Sequence, residues 1–304
     1  MRRLLCSSGA LALALVAGVA LLIMAHAANM SPSHDNGPVT VFYFGIMLGA
    51  VPICGRLAWP YSPRAERLAL VLILTIMLFG GRLIREPVAF IDHDTMLHWV
   101  TANQILEQQR LFTPNPLLPV SPLFPGIEVV ATAIVNMTGI PIFEASVILA
   151  FVARLLFVSG IFLAYERITG SSLVAGLATV IYAGSSNFFL FDASFSYEAL
   201  AVSFLGVVLL AGTIVTGNRP FGLGAALAIV VPMALAISVT HHMTAFVTAG
   251  LMFSLALLLV LQQPRRSDVV KMVSFLLVCA AAVAIWPHAR SGSVDGYIGP
   301  LFEG

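Results

Sequence analysis

Long apolar runs separated by short polar connections set the rhythm of this chain. Those that reach the roughly 17 to 25 residues a helix needs to cross hydrocarbon are Leu4–His26, Pro38–Leu57, Arg67–Ile84, Ile142–Tyr165, Ser172–Leu190, Phe195–Val215, Gly222–Val239, Met243–Leu261 and Lys271–Pro287. Helices satisfy their own backbone polar groups inside lipid, so the pattern predicts an all-α polytopic transmembrane bundle of about nine spans. The rhythm breaks once, in a polar island from Arg85 to Pro125. Within it Thr95–Gln109 is amphipathic, with Met96, Trp99, Val100, Ile105 and Leu106 mostly on one helical face and His98, Asn103, Glu107 and Gln108 toward the other. Gly126–Met137 is apolar enough for half a span, started by Pro125-Gly126 and stopped by Gly139-Ile140-Pro141. Both stretches are expected to be interfacial helices bracketing the Pro-rich turn Pro114–Pro119, with Trp99 at headgroup level.

Basic residues orient the spans. With a cytoplasmic N-terminus, Arg2, Arg3, Arg56, Arg64, Arg67, Arg167, Arg219, Arg265, Arg266 and Lys271 fall inside, against Arg82, Arg85, Arg110 and Arg290 outside. A crossing at Gly126–Met137 would invert every later loop, so it is read as not crossing. The first run also resembles a signal peptide, with Ala25-His26-Ala27 as a small-x-small site, but it is longer than a usual signal core and reads better as a retained anchor. Either way the island lies on the extracytoplasmic face of the cell (plasma) membrane.

Composition agrees: 59% of residues are hydrophobic and 10% charged, with a mean hydropathy of +0.98, which excludes a soluble globular domain. A net charge of +1 and the lack of a basic stretch interleaved with aromatics exclude nucleic acid as a partner. Cys6, Cys54 and Cys279 lie in apolar spans without pair spacing and read as packing residues.

Candidate chemistry concentrates outside. Asp92 and Asp94 follow the third span, and an Asp-x-Asp pair can ligate a divalent cation such as Mg or Mn, or supply a general base and a positioning carboxylate. Asp94 is alternatively the cap of the Thr95–Gln109 helix, and Asp92 a solvated loop acid. His98 lies four residues after Asp94, a spacing that can hold metal, although an interfacial histidine facing water is the plainer reading. His241-His242 sit at a span's outer end, where one can donate to a lipid phosphate while the other packs. All 7 histidines map to this side. Arg154 and Glu198 lie in or near hydrocarbon, where ionisable groups are paired or functional.

The order of these features resembles the GT-C superfamily of membrane glycosyltransferases, which includes the protein O-mannosyltransferases and the lipid A aminoarabinose transferases of family 39. The resemblance rests on Arg67–Ile84 followed by Ile91-Asp92-His93-Asp94, then the two interfacial helices and the short-looped spans from Ile142. Pro122-Leu123-Phe124-Pro125-Gly126 resembles the proline-containing start of the second interfacial helix, and the segment Phe191–Glu198, with Asp192 and Glu198, resembles a later acidic loop. It covers roughly Arg67 to Gln263 and divides the chain into a two-span extension (1–66), a GT-C-like module (67–287, outer loop 85–141) and an outer tail (288–304). The two extra spans and the end at Gly304 depart from that layout, and the tail reads as an interrupted loop, as in an N-terminal portion of a longer chain.

The resemblance implies transfer of a sugar from a polyprenyl-phosphate donor to a glycan, lipid or protein acceptor in the cell envelope. Asp92 would act as base, Asp94 would assist it or bind metal, and His241, His242 or Arg85 would steady the leaving phosphate. Two other classes compete: a transporter or flippase built on Arg154 and Glu198, and a non-catalytic scaffold of envelope polysaccharide assembly.

Overall fold

The computed structural model describes residues 2–30, 37–85, 87–90, 92–190, 194–215, 223–261 and 266–289. They form α1 (Arg2–Ala28), α2 (Gly37–Ala58), α3 (Arg64–Arg85), α4 (His93–Gln108), α5 (Gly126–Thr138), α6 (Ile142–Thr169), α7 (Ser172–Ala183), α8 (Ser186–Leu190), α9 (Tyr197–Val215), α10 (Leu223–Thr240), α11 (His242–Leu261) and α12 (Arg266–Ala289), with a 3-10 turn at Ser121–Leu123. No strand occurs among the described residues. Among them, 7 helices are long and apolar enough to cross a membrane. The expected span Ser172–Leu190 is not one helix. α7 ends at Gly184, and Ser185 Oγ accepts the amide of Phe188 to start α8 afresh, a side-chain cap that competes with helix continuation. At about 1.5 Å per residue α7 alone falls well short of the hydrocarbon thickness.

The chain packs as two compact units, Met1–Phe90 with Val158–Ala193, and Ile91–Phe157 with Ser194–Gly304. The island contributes residues to both.

In the first unit, α1 lies against α2 and α3 across small residues. Gly45 approaches Met24 and the Ala20 carbonyl, Gly49 approaches Met77, and Gly81 approaches Met24. Gly45 and Gly49 make a G-x-x-x-G step, the spacing that lets membrane helices pack backbone to backbone. A side chain at Gly49 would collide with the Met77 sulfur.

At the α2–α3 turn the polar groups satisfy one another. Arg56 donates through Nε and Nη2 to both oxygens of buried Glu66, at 2.8 and 2.9 Å. Buried Arg67 donates to the carbonyls of Leu57 (3.2 Å), Trp59 (2.9 Å) and Pro60 (3.1 Å) and to Ser172 Oγ (2.9 Å). Arg67 thereby gathers the carbonyls at the end of α2 and the turn after it, which no helical amide can serve.

In the second unit, α9, α10 and α12 enclose an apolar core of residues such as Val208, Val230, Ile237, Phe275 and Val283. Pro287 lies inside α12 and has no N–H for the Val283 carbonyl one turn back. Ser238 of α10 donates to that carbonyl at 3.0 Å and accepts the Trp286 amide at 3.2 Å, so a neighbouring helix repairs the break. The Trp286 indole then donates to the Leu123 carbonyl at 2.7 Å and fastens the 3-10 turn to α12. α5 begins so close to the end of α10 that a Cβ on Gly126 would meet the Thr240 backbone at 2.8 Å.

Replacing Arg67 with Ala is expected to lower unfolding stability in detergent by about 3 kcal/mol, since buried carbonyls lose a charged donor, while Arg67→Lys recovers part of the loss. Denaturant unfolding followed by circular dichroism measures it.

Candidate functional site

The Pro-rich turn between α4 and α5 is organised by Asn115. Its Oδ1 accepts the amides of Leu117 (3.0 Å) and Leu118 (3.3 Å), and its Nδ2 donates to Thr101 of α4 at 3.2 Å. The turn therefore folds back on α4 and brings Ser121 and Glu128 to its face.

That face is polar. Thr95, His98 and Thr101 are buried beside Leu97 and Ala102, whereas Met96 and Val100 are exposed. The expectation that His98 meets water is overturned: it is 1% exposed. Its Nδ1 hydrogen-bonds Glu128 Oε1 at 2.7 Å, and Glu128 is 0% exposed. Ser121 Oγ donates to Glu128 Oε1 at 3.3 Å and lies 3.3 Å from His98 Nδ1. Partners of this kind make polar burial tolerable, and Met96 and Val100 stay on the outer side of α4.

Aromatic rings extend the cluster. Tyr197, at the start of α9, meets the His98 ring edge-on at 4.5 Å and the His241 ring at 4.4 Å. His241 Nδ1 shares a 2.7 Å hydrogen bond with Thr244 Oγ1, and buried His242 packs 5.1 Å from Phe124. Both histidines are thus enclosed, where only one was expected to pack. Burial, with His242 and His98 adding to it, pushes His241 down to about 3. At neutral pH it can donate a hydrogen bond to an anion but brings no positive charge.

Asp92 is the N-cap residue of α4 and half-buried, and Asp94 is exposed in the first turn. The helix starts at His93, two residues earlier than expected, so the cap position falls to Asp92 rather than Asp94, although the Asp92 side chain makes no capping hydrogen bond. Both carboxylates sit at the positive end of the α4 dipole. His98 takes the carboxylate of Glu128 through Nδ1. Among the described residues no set of three or more histidines, cysteines or acids gathers to hold a metal, so the donor set does not make a protein cage for Mg or Mn.

Glu198 is half-buried in the first turn of α9, and Arg154 in α6 is 2% exposed. Asp192 lies outside the described residues. Arg85 belongs to the first unit and closes α3 there.

Ser121 and Glu128 both meet His98 on Nδ1. A nucleophilic serine activated by a His–acid pair needs the opposite nitrogen, so the trio is built to hold the imidazole in place. Glu128 Oε2 and Thr95 Oγ1 are buried with no hydrogen-bond partner among the described residues. The acid that anchors this cluster has one sequence signal, a lone carboxylate in the apolar run Gly126–Met137. Its pairing with a histidine 30 positions away has none.

Compared with protein-family models, curated proteins and solved structures, the chain matches none.

The unfolded chain binds a proton at His241 between about pH 6.5 and 3 where the folded protein does not. That contribution to stability is therefore complete above the ordinary histidine range and falls as pH drops through the window. Melting temperature in detergent should decline less between pH 7 and 4 for His241→Gln than for wild type. In a double-mutant cycle, His98→Asn and Glu128→Gln should each destabilise the protein, and the pair together should cost no more than the worse single change, a coupling of roughly 2 kcal/mol.

Proposed function

We propose that the protein is a membrane glycosyltransferase that moves a sugar from a polyprenyl-phosphate donor to an envelope acceptor at the extracytoplasmic face. The observation that carries this reading is the build of α4: two carboxylates at its solvent-facing start, and a polar face below them locked by the His98–Glu128 hydrogen bond. In this topology the N-terminus is cytoplasmic, α4 and α5 lie at the outer interface, and α7 and α8 cross as one broken span.

An acceptor hydroxyl would attack the anomeric carbon as the bond from that carbon to the phosphate oxygen breaks. Its proton passes to Asp92, and the bond electrons leave with polyprenyl phosphate. Asp94 helps position the acceptor, and His241 and His242 contribute uncharged hydrogen-bond donors toward the departing anion.

A fully buried Arg154 within α6 supports a second reading, a transporter whose pathway uses that charge. The two separate at Asp92. Purified protein in lipid nanodiscs with radiolabelled polyprenyl-phosphate sugars and an envelope extract should release polyprenyl phosphate, and Asp92→Asn should lower release at least a hundredfold, within the general-base contribution of about 10²–10⁴. Absence of release by folded wild type would remove the transferase reading, and substrate flux abolished by Arg154→Gln but untouched by Asp92→Asn would put transport in its place.

A further inference from the structure

We propose that the first unit binds an anionic phospholipid, its phosphate on Arg85 in the cavity where α1 ends, α2 begins and α3 ends, and its acyl chain along α2. The cavity is about 230 Å³ and is lined by Ala27 and Ala28 of α1, Val39, Phe42 and Tyr43 of α2, and Arg85. Among the described residues no carboxylate lines it, and Arg85 is the cation there.

The guanidinium carbon lies 5.9 Å from the centre of the Phe42 ring. A cation–π contact of this kind holds the planar group in one attitude, and a held guanidinium presents a rigid fork of donors that matches phosphate oxygens. Three span-capable helices terminate here: α1 at Ala28, α2 at Gly37 and α3 at Arg85. The cavity therefore lies where helical hydrocarbon-spanning segments give way to the polar boundary, the level of a phospholipid headgroup.

The walls decide between a soluble anion and an amphiphile. From the cavity, Val39, Tyr43, Met47 and Val51 follow each other at four-residue steps along α2, each more than half exposed, which makes them neighbours on one helical strip. A free phosphate has no use for that strip. A lipid places its phosphate on Arg85 and its chain on the strip in a single pose. The site belongs to the first unit and holds independently of any transferase chemistry in the second.

Native mass spectrometry of the full chain in detergent, titrated with phosphatidylglycerol and phosphatidylcholine of matched acyl chains, tests the assignment. Wild type should retain phosphatidylglycerol about fivefold better, the effect of one cation near a charged surface. Arg85→Gln should bring the two lipids to parity, and Arg85→Lys should keep most of the preference. Ala28→Phe, which fills the cavity and leaves the cation in place, should weaken phosphatidylglycerol retention, and it decides the matter if Arg85→Gln does not fold. Equal retention of both lipids by wild type, or an undiminished preference in folded Arg85→Gln or Ala28→Phe, would overturn the site. Displacement of the lipid by chain-free glycerol phosphate at equal concentration would overturn the assignment to a lipid.

Discussion

Because Glu128 lies wholly out of water, its hydrogen bond with His98 is the contact on which the α4–α5 hairpin depends. A buried carboxylate without a partner costs several kcal/mol, and its withdrawal would leave an imidazole in the same position. The rest of the hairpin follows. Asn115 folds the connection so that Ser121 and Glu128 reach α4, Trp286 holds the 3-10 turn from α12, and Gly126 allows α5 to start against Thr240. The same rule recurs elsewhere: Arg67 collects the carbonyls after α2, and Ser238 serves the carbonyl that Pro287 abandons. In a chain with this much apolar surface, each of these polar groups finds at least one hydrogen-bond partner inside its own unit.

Helix existence and approximate extent were legible, since apolar length alone predicts a helix in lipid, and the starts and stops of α5 followed from Pro125-Gly126 and Gly139. Which face of α4 turns inward was not. The ordinary rule buries the apolar side, yet α4 exposes Met96 and Val100 and buries His98, because its neighbour supplies a carboxylate and a hydroxyl. Nothing local to positions 95–109 announces a partner at 128. The break at Gly184-Ser185 was readable in principle from a glycine followed by two serines, but a hydropathy window averages over it. The Gly45–Gly49 step was equally readable as a packing motif.

The geometry narrows where chemistry can occur in the second unit. His98 is committed to Glu128, so it acts by fixing α4, and a serine on the same nitrogen cannot be the nucleophile of a triad. His241 is neutral and packed at a tilt against Tyr197, which leaves it a donor but not a charge. Among the acids of α4, Asp94 is exposed and Asp92 is half-buried. A general base works best where water is partly excluded but a substrate hydroxyl can still arrive. In the proposed transfer Asp92 would meet both conditions, and fewer than two turns of helix join it to the His98–Glu128 anchor. Under that proposal, any change that loosens the anchor should reach the transfer step through the placement of α4, without touching the substrate.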